Sequence, residues 1–176
     1  LRYFAGRSGP TSAFDYGDSG FDVALGLPKV KNWKDPYADP NPRCAKPFMT
    51  VISDINPSYD TDQLPGTSYS EDGDSPAPGD DLGGLNVSTE ATTIWNAEFG
   101  GPRNIFIGQS GTGANSYDGA PTSKTASSFA TIRGLAPEEP TKRGGYYAAS
   151  VAKFGLQNDI NKKAKGDQKV QTFAVA

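Results

Sequence analysis

Apolar residues along this chain are gathered into short runs, separated by much longer polar stretches. One run, Phe48-Met49-Thr50-Val51-Ile52-Ser53-Asp54, leads straight into the turn-rich Asn56-Pro57-Ser58. A nearly unbroken apolar run with β-branched residues predicts a strand buried on both faces. Asn104 to Gly108 predicts a second short buried strand, and Val170 to Ala176 alternates as a strand does. Two helices stand out. Ser88 is expected to cap the first, with Glu90 in its opening turn, Ala91, Ile94, Trp95 and Glu98 at helical spacing, and Gly100-Gly101 ending it. The second covers Gly145 to Asn158 and places Tyr147, Val151 and Phe154 on one face. Leu1 to Ala5 reads as the end of a further helix, with Gly6 as its left-handed cap. Strands alternating with helices predict an α/β sheet with parallel neighbours, and the Gly145 helix leading to the Val170 strand is one crossover.

The stretches between these elements are long. Gly9 to Asp22 is loop-like, and Asp35 to Pro42 is extended and punctuated by proline. Asn56 to Gly84 consists almost entirely of Asp, Ser, Gly, Pro and Tyr, far more than the usual connection of about 4–6 residues. Gln109 to Ser127 is again rich in Gly, Ser and Thr. The expectation is one domain over 1–176 with loop insertions around 56–87 and 109–127.

Composition narrows the chemistry. The chain has 176 residues, 35% hydrophobic, with 21 Gly and 14 Pro, which describes a moderate core carrying long loops. Net charge is −3 with both signs scattered, so no basic stripe supports binding of nucleic acid through its phosphates. Histidine is absent, which removes the commonest general base, the usual zinc ligand and the Ser-His and Cys-His pairings. The single cysteine, Cys44, is either a buried thiol or has its partner outside this chain. No membrane-spanning run occurs, and Leu1-Arg2-Tyr3-Phe4 is not a signal peptide. A start without Met and a closing run that is still alternating read as a piece of a longer protein.

Asp54 is the leading candidate for chemistry. It stands at the carboxyl end of a predicted strand, where open α/β sheets place their ligands; the other reading is a carboxylate that accepts backbone N–H bonds from the following turn. The acids Asp60, Asp62, Glu71, Asp72, Asp74, Asp80 and Asp81 lack EF-hand spacing and read as a solvated loop. Gly108-Gln109-Ser110-Gly111-Thr112-Gly113 follows a strand but lacks the third glycine of a dinucleotide loop and the Lys of a P-loop. Asn86-Val87-Ser88 matches a glycosylation acceptor, and Lys165-Gly166-Asp167 an integrin-recognition tripeptide; both are short enough to arise by chance. Glu138 and Glu139 are adjacent in an extended segment, so they point apart and form no acid/base pair. Tyr3, Phe4, Phe14, Tyr16, Phe21, Trp33 and Tyr37 make the first stretch aromatic-rich, for partner contact or for pinning long loops.

Three passages in order carry a family resemblance: CAKPFMTVISDINPSYDTDQLPG from Cys44 to Gly66, GLAPEEPTKRGGYYAASVAKFGLQNDIN from Gly134 to Asn161, and the closing QKVQTFAVA. With these the chain resembles the PilY/PilC family of type IV pilus tip proteins, large secreted bacterial proteins with a von Willebrand A-like region and a C-terminal β-propeller. The resemblance implies an α/β, von Willebrand A-like (Rossmann-like) central sheet with long inserted loops, present here as a fragment. It also implies a metal-ion-dependent adhesion site at the carboxyl edge of that sheet. Asp54 matches one motif position of such a site and would help hold a divalent cation, Mg or Ca. The Asp-x-Ser-x-Ser motif would lie before Leu1, and Ile55 stands where such domains usually have glycine.

The expected function is therefore non-enzymatic: surface adhesion and pilus assembly at the bacterial cell surface. Minor pilins of the tip and a host or surface receptor are the expected partners. A carbohydrate- or matrix-binding module of the same fold, and a fragment of a metal-dependent hydrolase using Asp54, are the alternatives.

Overall fold

The computed structural model of the chain describes residues 1–10, 21–26, 32–40, 44–53, 61, 64–69, 82–111, 117–136 and 143–175. In chain order its elements are α1 (Phe21–Ala24), β1 (Phe48–Ile52), α2 (Val87–Phe99), β2 (Arg103–Ser110), β3 (Tyr117–Ala126), a short 3-10 turn (Phe129–Thr131), β4 (Ile132–Arg133), α3 (Tyr147–Gln157) and β5 (Gln171–Val175).

Helix α2 is anchored at both ends by its own sequence. Asn86, with extended backbone, accepts the Thr89 N–H through Oδ1 at 2.9 Å, satisfying one of the amides left open at a helix start. The cap is thus Asn86 and not Ser88, whose hydroxyl turns instead toward Ser68 and Tyr147. Gly100 adopts the left-handed conformation and closes the other end, as expected. Val87, Ala91 and Trp95 are buried at i, i+4 and i+8, so one stripe of α2 faces the core.

That stripe meets an aromatic cluster. The Trp95 ring stands edge-on to Phe99 at 4.7 Å and to Phe129 at 4.9 Å, while Phe129 stacks on Tyr146 at 3.9 Å. The indole N–H donates to the Gly101 carbonyl at 3.0 Å, leaving no unsatisfied donor in a fully buried ring. Tyr147 and Phe154 of α3, Ile107, Ile132, Ile160 and Val170 complete the same cluster. Helices α2 and α3 pack on each other and are tied at the rim by an ion pair between Glu90 and Lys153.

The strands form two small sheets among the described residues, not one central sheet. β1 and β5 pair in parallel, from Phe48 against Gln171 to Ile52 against Val175, while β2 lies between β3 and β4 in an antiparallel sheet. The second sheet corrects the loop expected over 109–127: β3 occupies much of it, closing a hairpin with β2 whose register shifts between Ile107 and Gln109. Backbone pairing supplies the order there, so polar residues suffice on an exposed hairpin. β2 is also longer than expected and only partly buried, with Phe106 exposed.

The larger correction concerns β1. It is a strand, but it ends at Ile52, and Phe48, Val51 and Ile52 are 51%, 44% and 82% exposed. Among the described residues its single partner is β5, and only the side bearing Met49 turns toward the core. A run patterned for burial on both faces thus has one face in the open.

The join between α3 and β5 depends on a missing side chain. A Cβ on Gly155 would stand 2.9 Å from Leu1 Cδ2 and 3.4 Å from the Val170 carbonyl oxygen, and the Val170 N–H donates to the Gly155 carbonyl at 2.8 Å. The first residues form a helical turn, with Ala5 N–H donating to Leu1 O at 2.9 Å and Gly6 at φ 64°, as the sequence predicts.

Candidate functional site

The carboxyl end of β1 is described as far as Ser53, whose N–H continues the ladder by donating to the Val175 carbonyl at 3.1 Å. Asp54, the expected metal ligand, lies outside the described residues, as do Asp60, Asp62, Glu71, Asp72, Asp74, Asp80, Asp81, Glu138 and Glu139. Among the described residues no group of three or more His, Cys, Asp or Glu side chains is placed to hold a metal ion. The described residues around this end of β1 do not by themselves fit a cation site.

A cavity of about 470 Å³ opens at the opposite end of the parallel pair, where β1 and β5 begin. Cys44, Lys46, Phe48, Lys165, Asp167 and Lys169 are among its lining residues. Cys44 is exposed, which corrects the buried-thiol alternative: the chain turns into β1 only after burying Pro47, so the thiol remains outside. Of the three lysines, Lys169 is 3.7 Å from the Asp167 carboxylate, a pair exposed to water and therefore weak. The Lys165-Gly166-Asp167 turn is exposed as well.

A second opening, about 510 Å³, is lined by Asp35, Tyr37, Asp39, Lys163 and Lys165. Its wall is a rigid polar joint. Asp35 Oδ1 accepts from the Tyr37 N–H at 2.9 Å and from Asn161 Nδ2 at 3.0 Å, while Asn161 Oδ1 accepts from the Lys163 N–H at 3.1 Å. Asn161 is fully buried. Gly6 makes room for this joint, since a Cβ there would lie 2.5 Å from Asp35 Oδ2. Burial, and then the Asp35 carboxylate and Tyr3, push the Tyr37 hydroxyl above the ordinary tyrosine range. Tyr3 stands edge-on to Phe4 and Trp33, so these described aromatics pin the N-terminal segment; Phe14 and Tyr16 lie outside the described residues.

The described part of the glycine-rich run, Gly108 to Gly111, closes β2 and has a structural task. Gln109 is buried within β2; its Oε1 accepts from Arg133 Nε at 3.0 Å and Nη2 at 2.6 Å, and its Nε2 donates to the Gly111 carbonyl at 2.8 Å. The Arg133 guanidinium lies 3.9 Å over the Tyr69 ring, a desolvated cation–π contact. Nothing in the composition of 109–133 marks this pair, because it depends on β4 docking beside β2. The Tyr147 hydroxyl was likewise missed: it donates to the Ala130 carbonyl at 2.8 Å and accepts from the Ser68 N–H at 3.1 Å. It pins the segment around Ser68 onto the helices.

The described residues form a mixed α/β fold with two open, lysine-lined cavities. The family model described as "PilY1 homolog, second domain" matches residues 1–155, so the chain belongs to the PilY1 family. It is similar to the type IV pilus biogenesis factor PilY1 homolog of Xylella fastidiosa (strain Temecula1 / ATCC 700964), with 44% identity over 182 residues that cover 100% of this chain and 12% of that protein. The chain thus spans about an eighth of the length of this curated relative. No solved structure matches it. No helix among the described residues is long and apolar enough to cross a membrane.

Proposed function

We propose that the chain is a structural and contact-making unit of a type IV pilus biogenesis factor, acting at the bacterial cell surface in pilus assembly and adhesion without turning over a substrate. The observation that carries this reading is the 44% identity, along the whole chain, to a protein of that name. The minor pilins of the tip and a surface receptor are the partners it proposes. The openings beside Cys44 and Asp35 and the hairpin of β2 and β3 offer contact area on loops held by a small core.

The test is removal of the segment encoding residues 1–176 from the chromosomal gene, with the parent protein's level followed by immunoblot. Loss of sheared surface pilin and of attachment, at an unchanged protein level, supports the proposal. Normal piliation and attachment overturn it. The finer proposal is a von Willebrand A-like arrangement in which Asp54, two residues past β1, joins ligands from outside the described residues around Mg or Ca. It is checked by attachment assays with and without chelator: loss of attachment that Mg or Ca restores supports it, and unchanged attachment refutes it.

A further inference from the structure

The β1–β5 pair has the composition of a sheet interior and the exposure of a surface. With side chains alternating along each strand and the observed register, Phe48, Thr50, Ile52, Phe173 and Val175 share one face. The Phe48 and Phe173 rings meet on it at 5.9 Å. Ile52 is 82% exposed, Val175 55% and Phe173 47%. Neither FMTVI nor QTFAV contains a charged residue. Soluble proteins blunt free sheet edges with Lys, Pro or bulges, and parallel strands are almost always covered on both faces. This pair has no such blunting, and among the described residues each strand has one neighbour only.

We infer that this face and its free ladder edge are the seam at which the unit joins further α/β structure of its own polypeptide. The occupant is an uncharged apolar strand aligned on the ladder edge, with an apolar helix face laid over Phe48, Ile52, Phe173 and Val175. Three observations favour this occupant over a second copy of the chain. The ladder is parallel although its strands are far apart in the chain, with α2, the antiparallel sheet and α3 between them, and parallel sheets extend by further crossover units of one chain. A two-fold partner pairing like edges would add its strand antiparallel. The chain also makes up only 12% of its full-length relative, which leaves ample polypeptide to supply the missing strand and helix. The inference rests on the geometry of β1 and β5, and not on the pilus reading.

The experiment measures maleimide labelling of single-cysteine variants in a Cys44→Ser background, within the purified full-length polypeptide. The probe positions are Ile52→Cys and Phe173→Cys. Ala97→Cys, on the exposed side of α2, is the control. The expected result is labelling at positions 52 and 173 at least tenfold slower than at 97, with all three equalised in denaturant. Native rates within twofold of one another overturn the inference. Residues 1–176 alone, with folding checked by circular dichroism, provide the second arm. Fast labelling there at positions 52 and 173, at every concentration, supports the seam. Protection that rises with concentration and tracks a dimer mass means that a second copy covers the face, and overturns it. Neither arm depends on piliation, so failure here and failure of the proposed function are separate results.

Discussion

Replacing Tyr147 by Phe removes one oxygen from the point where three segments meet. The hydroxyl donates to the Ala130 carbonyl at 2.8 Å, accepts from the Ser68 N–H at 3.1 Å and contacts Ser88 Oγ at 3.1 Å. The ring is retained, so no cavity term enters and the cost is polar. Ala130 is buried, and a buried carbonyl left without a donor costs about 1–3 kcal/mol. The Ser68 amide is only partly buried and recovers part of its bond from water. The sum is about 2–3 kcal/mol, or about 4–12 °C in melting temperature for a chain of this size. Thermal and urea unfolding measure it, with amide exchange at Ser68 as the local readout. Ser68 Oγ and Ser88 Oγ are 2.8 Å apart in the same network, so Ser88→Ala combined with Tyr147→Phe is expected to be non-additive by more than about 0.5 kcal/mol. A melting shift below 1 °C, or strict additivity in the cycle, would falsify the account of this network.

Other expectations follow from the same structure. Trp95→Ala empties the centre of the aromatic cluster and should cost about 3–5 kcal/mol in urea unfolding; a loss under 1 kcal/mol would mean that α2 is not seated as described. Gly6→Ala combines a left-handed φ of 64° with a 2.5 Å approach to Asp35 Oδ2. It should lower stability by at least about 2 kcal/mol, and an unchanged melting temperature would contradict it. Ser150 is fully buried and its hydroxyl has no hydrogen-bond partner among the described residues, so Ser150→Ala should stabilise by about 1 kcal/mol. Destabilisation on calorimetry would reveal a partner. Tyr37 and Tyr146 are held neutral above the ordinary tyrosine value, by burial first and then by Asp35 and Tyr3, or by Glu98. The unfolded chain releases these protons first, at about pH 10, so their contribution is intact below that pH and is lost as pH climbs through the raised values. Tyr37→Phe should flatten the alkaline loss of stability, and an identical pH profile would exclude this cause.

Local pattern was a good guide to elements and a poor one to their surroundings. The α3 stripe, the Gly100 end of α2, the Gly6 cap and the strands around Phe48 and Gln171 were all legible, because helical and extended periods are written in neighbouring residues. The identity of the α2 cap was misplaced by two residues, since Asn86 and Ser88 both have the chemistry and only the backbone at Asn86 is extended. β3 was illegible: Thr, Ser and Lys in an exposed hairpin carry no apolar alternation, and the ladder with β2 supplies the order. The buried Arg133 and Gln109 pair could not be read either, because 24 residues separate partners that meet only when β4 docks. As for the site, the resemblance pointed to Asp54, which lies outside the described residues.

Sequence alone determined the family, through passages kept in order over most of the chain, and the small apolar core, through the spacing of Tyr147, Val151, Phe154, Ala91 and Trp95. Tertiary structure decided which apolar residues are spent on that core. Trp95 and Ile132 are sealed by neighbours distant in sequence, whereas the equally apolar Ile52 and Phe173 remain in solvent. Burial is set by the number of elements packed around a residue, and among the described residues β1 has a single strand beside it and core against one face only.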